Sequence, residues 1–272
     1  MHSALFLMMF LAAKPAAVNP TAVELSKLKA RVMSADYRAD LPELTALRDE
    51  LIKWPKDREL AYAARYWAGY ASWRIAMNGA NHQMKPDDLL LHLRNAATQF
   101  YISMALKDDF ADSVAAASLV NGWLATFNME GGPFPDRPPM EEHAALSRAL
   151  VARATALDPD NPRVLWARAA FLLYAPPSMG GSVPRAIDLY QQMLRQAEKR
   201  GTDPTSPLPD WGKPEALMSL AFAHTMLTPP ELEKAREEAD AALKAQPDWS
   251  YVRDNLIPLI AQKISAASGR SQ

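Results

Sequence analysis

The chain has 272 residues, 49% of them apolar, and 30 basic against 31 acidic side chains leave a net charge of −1. That balance argues against a nucleic-acid binder, which normally carries a basic excess, and a mean hydropathy of −0.20 argues against a polytopic membrane protein. The absence of cysteine removes disulfides, thiolate catalysis and Cys-built zinc sites.

The first feature in chain order is the apolar run from Ala4 to Ala13, followed by a polar, proline-bearing stretch ending at Pro20. Ten helical residues rise about 15 Å, half of a bilayer core of roughly 30 Å. The run has the length of the apolar part of a secretory signal peptide, so residues 1–19 are expected to direct export. A greasy first helix is the competing reading; it would leave the protein cytoplasmic.

From Pro20 onward the sequence reads as helix after helix with proline-rich punctuation. Helices are expected from Thr21 to Ser34, Leu41 to Lys53 and Asp57 to Met77 (stopping at Asn78-Gly79), with a fourth starting after Lys85-Pro86-Asp87. A fifth covers Phe110 to Phe127, and the run from Glu130 to Pro139, rich in glycine and proline, ends it. Further helices span Glu141 to Leu157, Arg163 to Tyr174, Pro184 to Arg200, Glu215 to Leu227 and Glu231 to Ala245; a last one starts near Trp249 and is kinked by Pro258. No segment alternates as a strand does.

A stripe recurs inside this series. Ala235, Ala239, Ala242 and Leu243 repeat the spacing of Ala186, Tyr190, Met193 and Leu194, and of Ala97, Tyr101, Met104 and Ala105. A looser copy is Ser147, Val151, Ala154 and Thr155. Each set falls on one face of a helix and offers a narrow surface where a second helix can approach closely. Repetition of a helical unit defines an α-solenoid, whose units bury apolar surface against their neighbours.

These stripes, with the helix-ending phrases Leu157 to Pro162 and Lys244 to Trp249 and the small residue Gly69 between Trp67 and Tyr70, resemble the tetratricopeptide repeat family. The resemblance covers about Arg58 to Gln262. The segments Ala175 to Tyr190 and Pro207 to Gly212, each with a glycine turn, are also similar to exported bacterial tetratricopeptide-like proteins. A similar glycine turn occurs in periplasmic tetratricopeptide-like subunits of transport systems. The anchors Ala97, Ser147, Ala186 and Ala235 lie farther apart than the roughly 34 residues of such a unit, and the excess has a home in the loops. Asp109 stands where a helix-ending proline belongs, and no such proline follows Met193 on schedule, leaving the boundaries at 107–111 and 195–214 open.

The resemblance implies an all-α, right-handed solenoid of about eleven helices without a sheet. Residues 20–272 would form one domain, with an N-terminal pair (20–56), repeats (57–247) and a capping helix and tail (248–272). It implies a protein or peptide partner held in the concave groove, for which Trp67, Tyr70, Trp123 and Trp166 are the candidates. Gly180, Gly181, Trp211 and Gly212 are expected to be structural turns, with Trp211 a clasp. A small-ligand-binding accessory subunit of an envelope transport system is the alternative.

Chemistry is the weakest reading. His2, His82, His92, His143 and His224 include no pair at metal-sharing helical spacing, so no metal site or cofactor is expected. Asp87-Asp88 and Asp108-Asp109 sit at helix ends, where carboxylates cap. Gly180-Gly181 lacks the lysine of a nucleotide loop. The expectation is therefore a non-catalytic scaffold.

Overall fold

A computed structural model describes residues 19–54, 59–126 and 141–269. The expected signal peptide and the proline-rich break from Glu130 to Pro139 lie outside them. The described residues form eleven α-helices and no strand: α1 (Pro20–Tyr37), α2 (Leu41–Ile52), α3 (Ala61–Asn81), α4 (Pro86–Leu106), α5 (Ala111–Thr126), α6 (Glu141–Leu157), α7 (Pro162–Tyr174), α8 (Val183–Arg200), α9 (Lys213–His224), α10 (Leu232–Ala245) and α11 (Ile257–Gly269). They pack in sequential pairs, α3 on α4, α5 on α6, α7 on α8 and α9 on α10, each pair resting on the next.

The caps explain the helix starts. Asn19, Asp40, Asn161 and Ser182 each accept backbone N–H bonds through the side chain, and each precedes a proline in the first turn. Asp87 and Asp88 fall in the first turn of α4, where their charge meets the positive end of the helix. The stripes are the contact lines: Ala186, Met193, Ala235, Ala239, Ala242 and Ala154 are all fully buried. Gly69 lets α3 meet its partner helix, since a Cβ there would stand 2.8 Å from the Phe100 ring on α4.

Several helix ends depart from expectation: α1 runs on to Tyr37 and α9 stops at His224. α3 runs through Asn78-Gly79 to Asn81, because the Asn78 side chain is held by α1: its Nδ2 donates to the Asp36 carboxylate at 2.9 Å and to the Asp36 carbonyl at 3.1 Å. At the C-terminus a π-turn, Val252–Leu256, precedes α11, and Ile257 N–H bonds to the Val252 carbonyl. Widening the helix there accommodates Pro258, which has no N–H to give. Arg236 pairs with Asp240 at 2.9 Å as its spacing suggests, whereas Glu238 turns inward to His224.

Candidate functional site

The segment between α8 and α9, residues 201–212, fills the face where an open groove was expected. Lys29, 4% exposed, donates from Nζ to the carbonyls of Asp203 (3.0 Å) and Leu208 (3.4 Å) and pairs with Asp210 at 2.8 Å. Trp67 Nε1 donates to the Pro207 carbonyl at 2.7 Å. Trp211 Nε1 donates to the Tyr66 hydroxyl at 3.0 Å, and Arg163 donates to the Trp211 carbonyl at 3.1 Å. The Trp211 ring packs among Tyr70 and Trp166, at centroid distances of 5.9 and 5.3 Å. α8 ends at Gly201, whose positive φ of 67° turns the chain back into this crossing.

Trp67 and Tyr70 therefore do not line an open groove. Both are buried, and their polar atoms are spent, Trp67 on the loop and Tyr70 on Asp36 through a 2.9 Å bond. The physical reason is that a long insertion carrying its own tryptophan covers the apolar face that helix periodicity left available. Trp166 is partly buried, its ring tilted against Trp73 at 5.5 Å, and it donates to Ser219 Oγ at 2.9 Å. Trp123 meets half-exposed Tyr174 at 5.8 Å, and Tyr174 meets Phe222 at 6.4 Å. Of the four candidates, only Trp123 belongs to an aromatic row that reaches the surface.

Trp211 is buried as a clasp would require, and it lies across α3 and α7 rather than along the helices flanking its loop. The glycine turn before α8 divides its work between two residues. Gly180 takes a φ of 90°, while Gly181 makes a close approach in which a Cβ would fall 1.7 Å from the Ala175 carbonyl oxygen. A Cβ on Gly212 would press on Ala197 and Pro162 at 3.1 and 3.2 Å.

Beside the clasp, a cleft of about 550 Å³ opens between the loop before α5, the α6–α7 turn and residues 200–210. Its apolar surface comes from Phe110, Leu157, Leu208 and Pro209, and its charged lining from five aspartates, Asp109, Asp112, Asp158, Asp203 and Asp210, against Arg163 and Arg200. Leu157 and Leu208 are 39% and 37% exposed. Each carboxylate is tethered. Asp112 holds Arg163 at 2.6 Å, Asp158 holds Arg200 at 3.0 Å, Asp109 holds Lys107 at 2.6 Å, and Asp203 accepts from Thr205 at 2.7 Å. The Lys107 and Thr205 contacts hold the carboxyls of Asp109 and Asp203 below the usual aspartate range. Sequence reading missed this site because its residues come from three loops distant along the chain; Asp109, noted as a misplaced repeat ending and as one of a capping carboxylate pair, was the visible trace.

The histidines are dispersed. His143 Nδ1 lies 2.7 Å from Asn121 Oδ1, His82 Nδ1 lies 2.8 Å from the Asn78 carbonyl, and His224 sits between Glu238 (2.6 Å) and Glu231 (3.7 Å). Among the described residues no three His, Asp or Glu side chains converge in a way that could hold a metal ion, and no helix is long and apolar enough to cross a membrane.

No family model and no curated protein matches the chain. Among solved structures it is similar to the HusA haemophore from Porphyromonas gingivalis, with a TM-score of 0.52 and 17% identity over 79% of this chain and 96% of that one. The likeness is one of fold: an all-helical, repeat-like array.

Proposed function

We propose that this chain is a non-catalytic, exported binding protein of tetratricopeptide-like build that holds a segment of a protein or peptide partner in the cleft beside the clasp. The cleft carries the reading. Its volume falls in the range of about 300–1,000 Å³ used by ligand sites, and it joins an exposed apolar surface to charged walls. The excess of carboxylates over guanidinium groups suits a segment that lays an apolar side chain on Leu157 and Leu208 and offers a Lys or Arg to Asp109, Asp158 or Asp203. Tethered carboxylates make poor general bases, which favours binding over chemistry.

Fluorescence anisotropy with labelled peptides containing a basic residue beside an apolar one tests this. Leu157→Ser should abolish most binding, and Asp203→Asn should weaken it by roughly 0.5–1 kcal/mol, about two- to fivefold, as exposed charge pairs do. Binding that survives both changes and fails in Trp123→Ala would move the partner to the aromatic row.

A small-ligand carrier is the second reading, favoured by the fold likeness to a haemophore. Haem does not fit the cleft. No His, Met, Tyr or Cys lines it, and five aspartates would face the propionates. A free organic amine binding as tightly as the peptides would favour the carrier reading.

A further inference from the structure

Behind the clasp lies a small chamber of about 10 Å³, bounded by Trp73, Trp211 and Trp249 and by Asp36, Arg74 and Glu215. Three of the residues that bound it each carry a buried polar atom without a partner in the protein: Trp73 Nε1, Trp249 Nε1 and Glu215 Oε2. Their residues are 1%, 2% and 5% exposed, so bulk solvent does not serve them. The other polar groups nearby are committed. Glu215 Oε1 accepts from the Tyr37 hydroxyl at 2.5 Å, and the Asp36 carboxylate accepts from Tyr70 (2.9 Å), Arg74 Nε (2.7 Å) and Asn78 (2.9 Å). Leaving a buried donor or acceptor unpaired costs about 1–3 kcal/mol each, so three orphans around one chamber mark a site with an occupant.

We propose that this chamber binds a single water molecule that accepts hydrogen bonds from both indoles and donates one to Glu215 Oε2. Stoichiometry selects the occupant. Water has two lone pairs for two N–H donors and a proton for the carboxylate oxygen. Ammonium would aim only donors at the indole N–H groups. A halide would accept from the indoles but stand against the Glu215 carboxylate, with the Arg74 guanidinium already paired to Asp36 at 2.7 Å. The volume admits one water and nothing larger.

The water makes the closure of the array a solvent-mediated joint. Through it α3 (Trp73), α9 (Glu215) and the segment before the π-turn (Trp249) meet at one point, and Tyr37 ties α1 to the same carboxylate. Tyr37 also meets the Trp249 ring at 5.1 Å. The site thus connects the first helices of the chain with the last.

A crystal structure at a resolution that shows ordered solvent tests the proposal directly, with a second crystal soaked in bromide. One peak within hydrogen-bond distance of Trp73 Nε1, Trp249 Nε1 and Glu215 Oε2, without anomalous signal after the soak, is the expected result. An empty chamber, or an anomalous bromide peak, overturns it. In solution, oxygen-17 relaxation dispersion should count one fewer long-lived internal water in the Trp73→Phe, Trp249→Phe double variant than in the wild type, with matching circular dichroism. An unchanged count in that folded variant overturns it equally.

Discussion

Trp211→Ala removes the clasp at its anchor, and the structure sets the size of the effect. The ring is 5% exposed and packed on Tyr70 and Trp166, and deleting a buried aromatic side chain to alanine costs about 3–5 kcal/mol. The variant also deprives the Tyr66 hydroxyl of its indole donor in a buried setting, adding about 1–2 kcal/mol. For a domain of this size each kcal/mol moves Tm by about 2–4 °C, so the expected fall is roughly 10–20 °C. Trp211→Phe keeps most of the packing and loses only the hydrogen bond, so its fall should be less than half as large. Thermal melts followed by circular dichroism measure both. Limited proteolysis adds a local readout, since release of the clasp should open residues 201–212 to cleavage before any helix is cut. A Trp211→Ala variant within about 2 °C of the wild type, with an uncut loop, would show that the loop merely lies on the surface.

Burial raises the Glu215 pKa, with the Tyr37 hydroxyl and Arg74 opposing and Asp36 reinforcing the shift. A folded-state pKa above the unfolded one gives stability that is complete below the unfolded value and lost as pH rises through the folded value. Denaturant midpoints should therefore decline as pH rises above the ordinary glutamate range, and Glu215→Gln should flatten that decline. Arg163→Leu strands Asp112 with both partners buried and should cost about 3–5 kcal/mol, most of it recovered by a second change, Asp112→Leu, in urea titrations. Gly181→Ala places a Cβ against the Ala175 carbonyl and should lower the urea midpoint by the equivalent of about 2 kcal/mol or more, while Gly122→Ala, whose Cβ would meet Ser147 Oγ at an ordinary contact distance of 3.5 Å, should change little.

The helical architecture was legible because its signals are local. Proline at first turns, capping side chains and a repeating small-residue stripe each report on a few consecutive residues, and Ala186, Ala235 and Ala239 sit in the helix contacts their spacing implies. Asn78-Gly79 misled because the Asp36 carboxylate that keeps Asn78 helical is 42 residues away. The groove misled for the same reason on a larger scale. Periodicity shows that Trp67 and Tyr70 share an apolar helix, yet it is silent on whether a partner or the chain itself covers them. The indole on a loop did point to a clasp, since a ring of that size must be buried somewhere, but its destination depended on contacts 145 residues apart. The cleft was illegible because its walls are assembled from three separate turns.

The clasp also changes how the molecule should come together. A stack of helical pairs with only neighbour contacts can nucleate anywhere, lose units from either end and keep the rest. Here Lys29 waits for Asp210 across 181 residues and Tyr37 for Glu215 across 178. Contacts of that span carry a high loop-closure entropy and slow folding, and they bind early helices to late ones. A chain cut after α7 would leave Trp67 and Tyr70 bare and Lys29 without its carboxylate. Deletion of terminal helix pairs should accordingly unravel the whole array, and unfolding should be a single cooperative transition where an ordinary solenoid would melt in pieces.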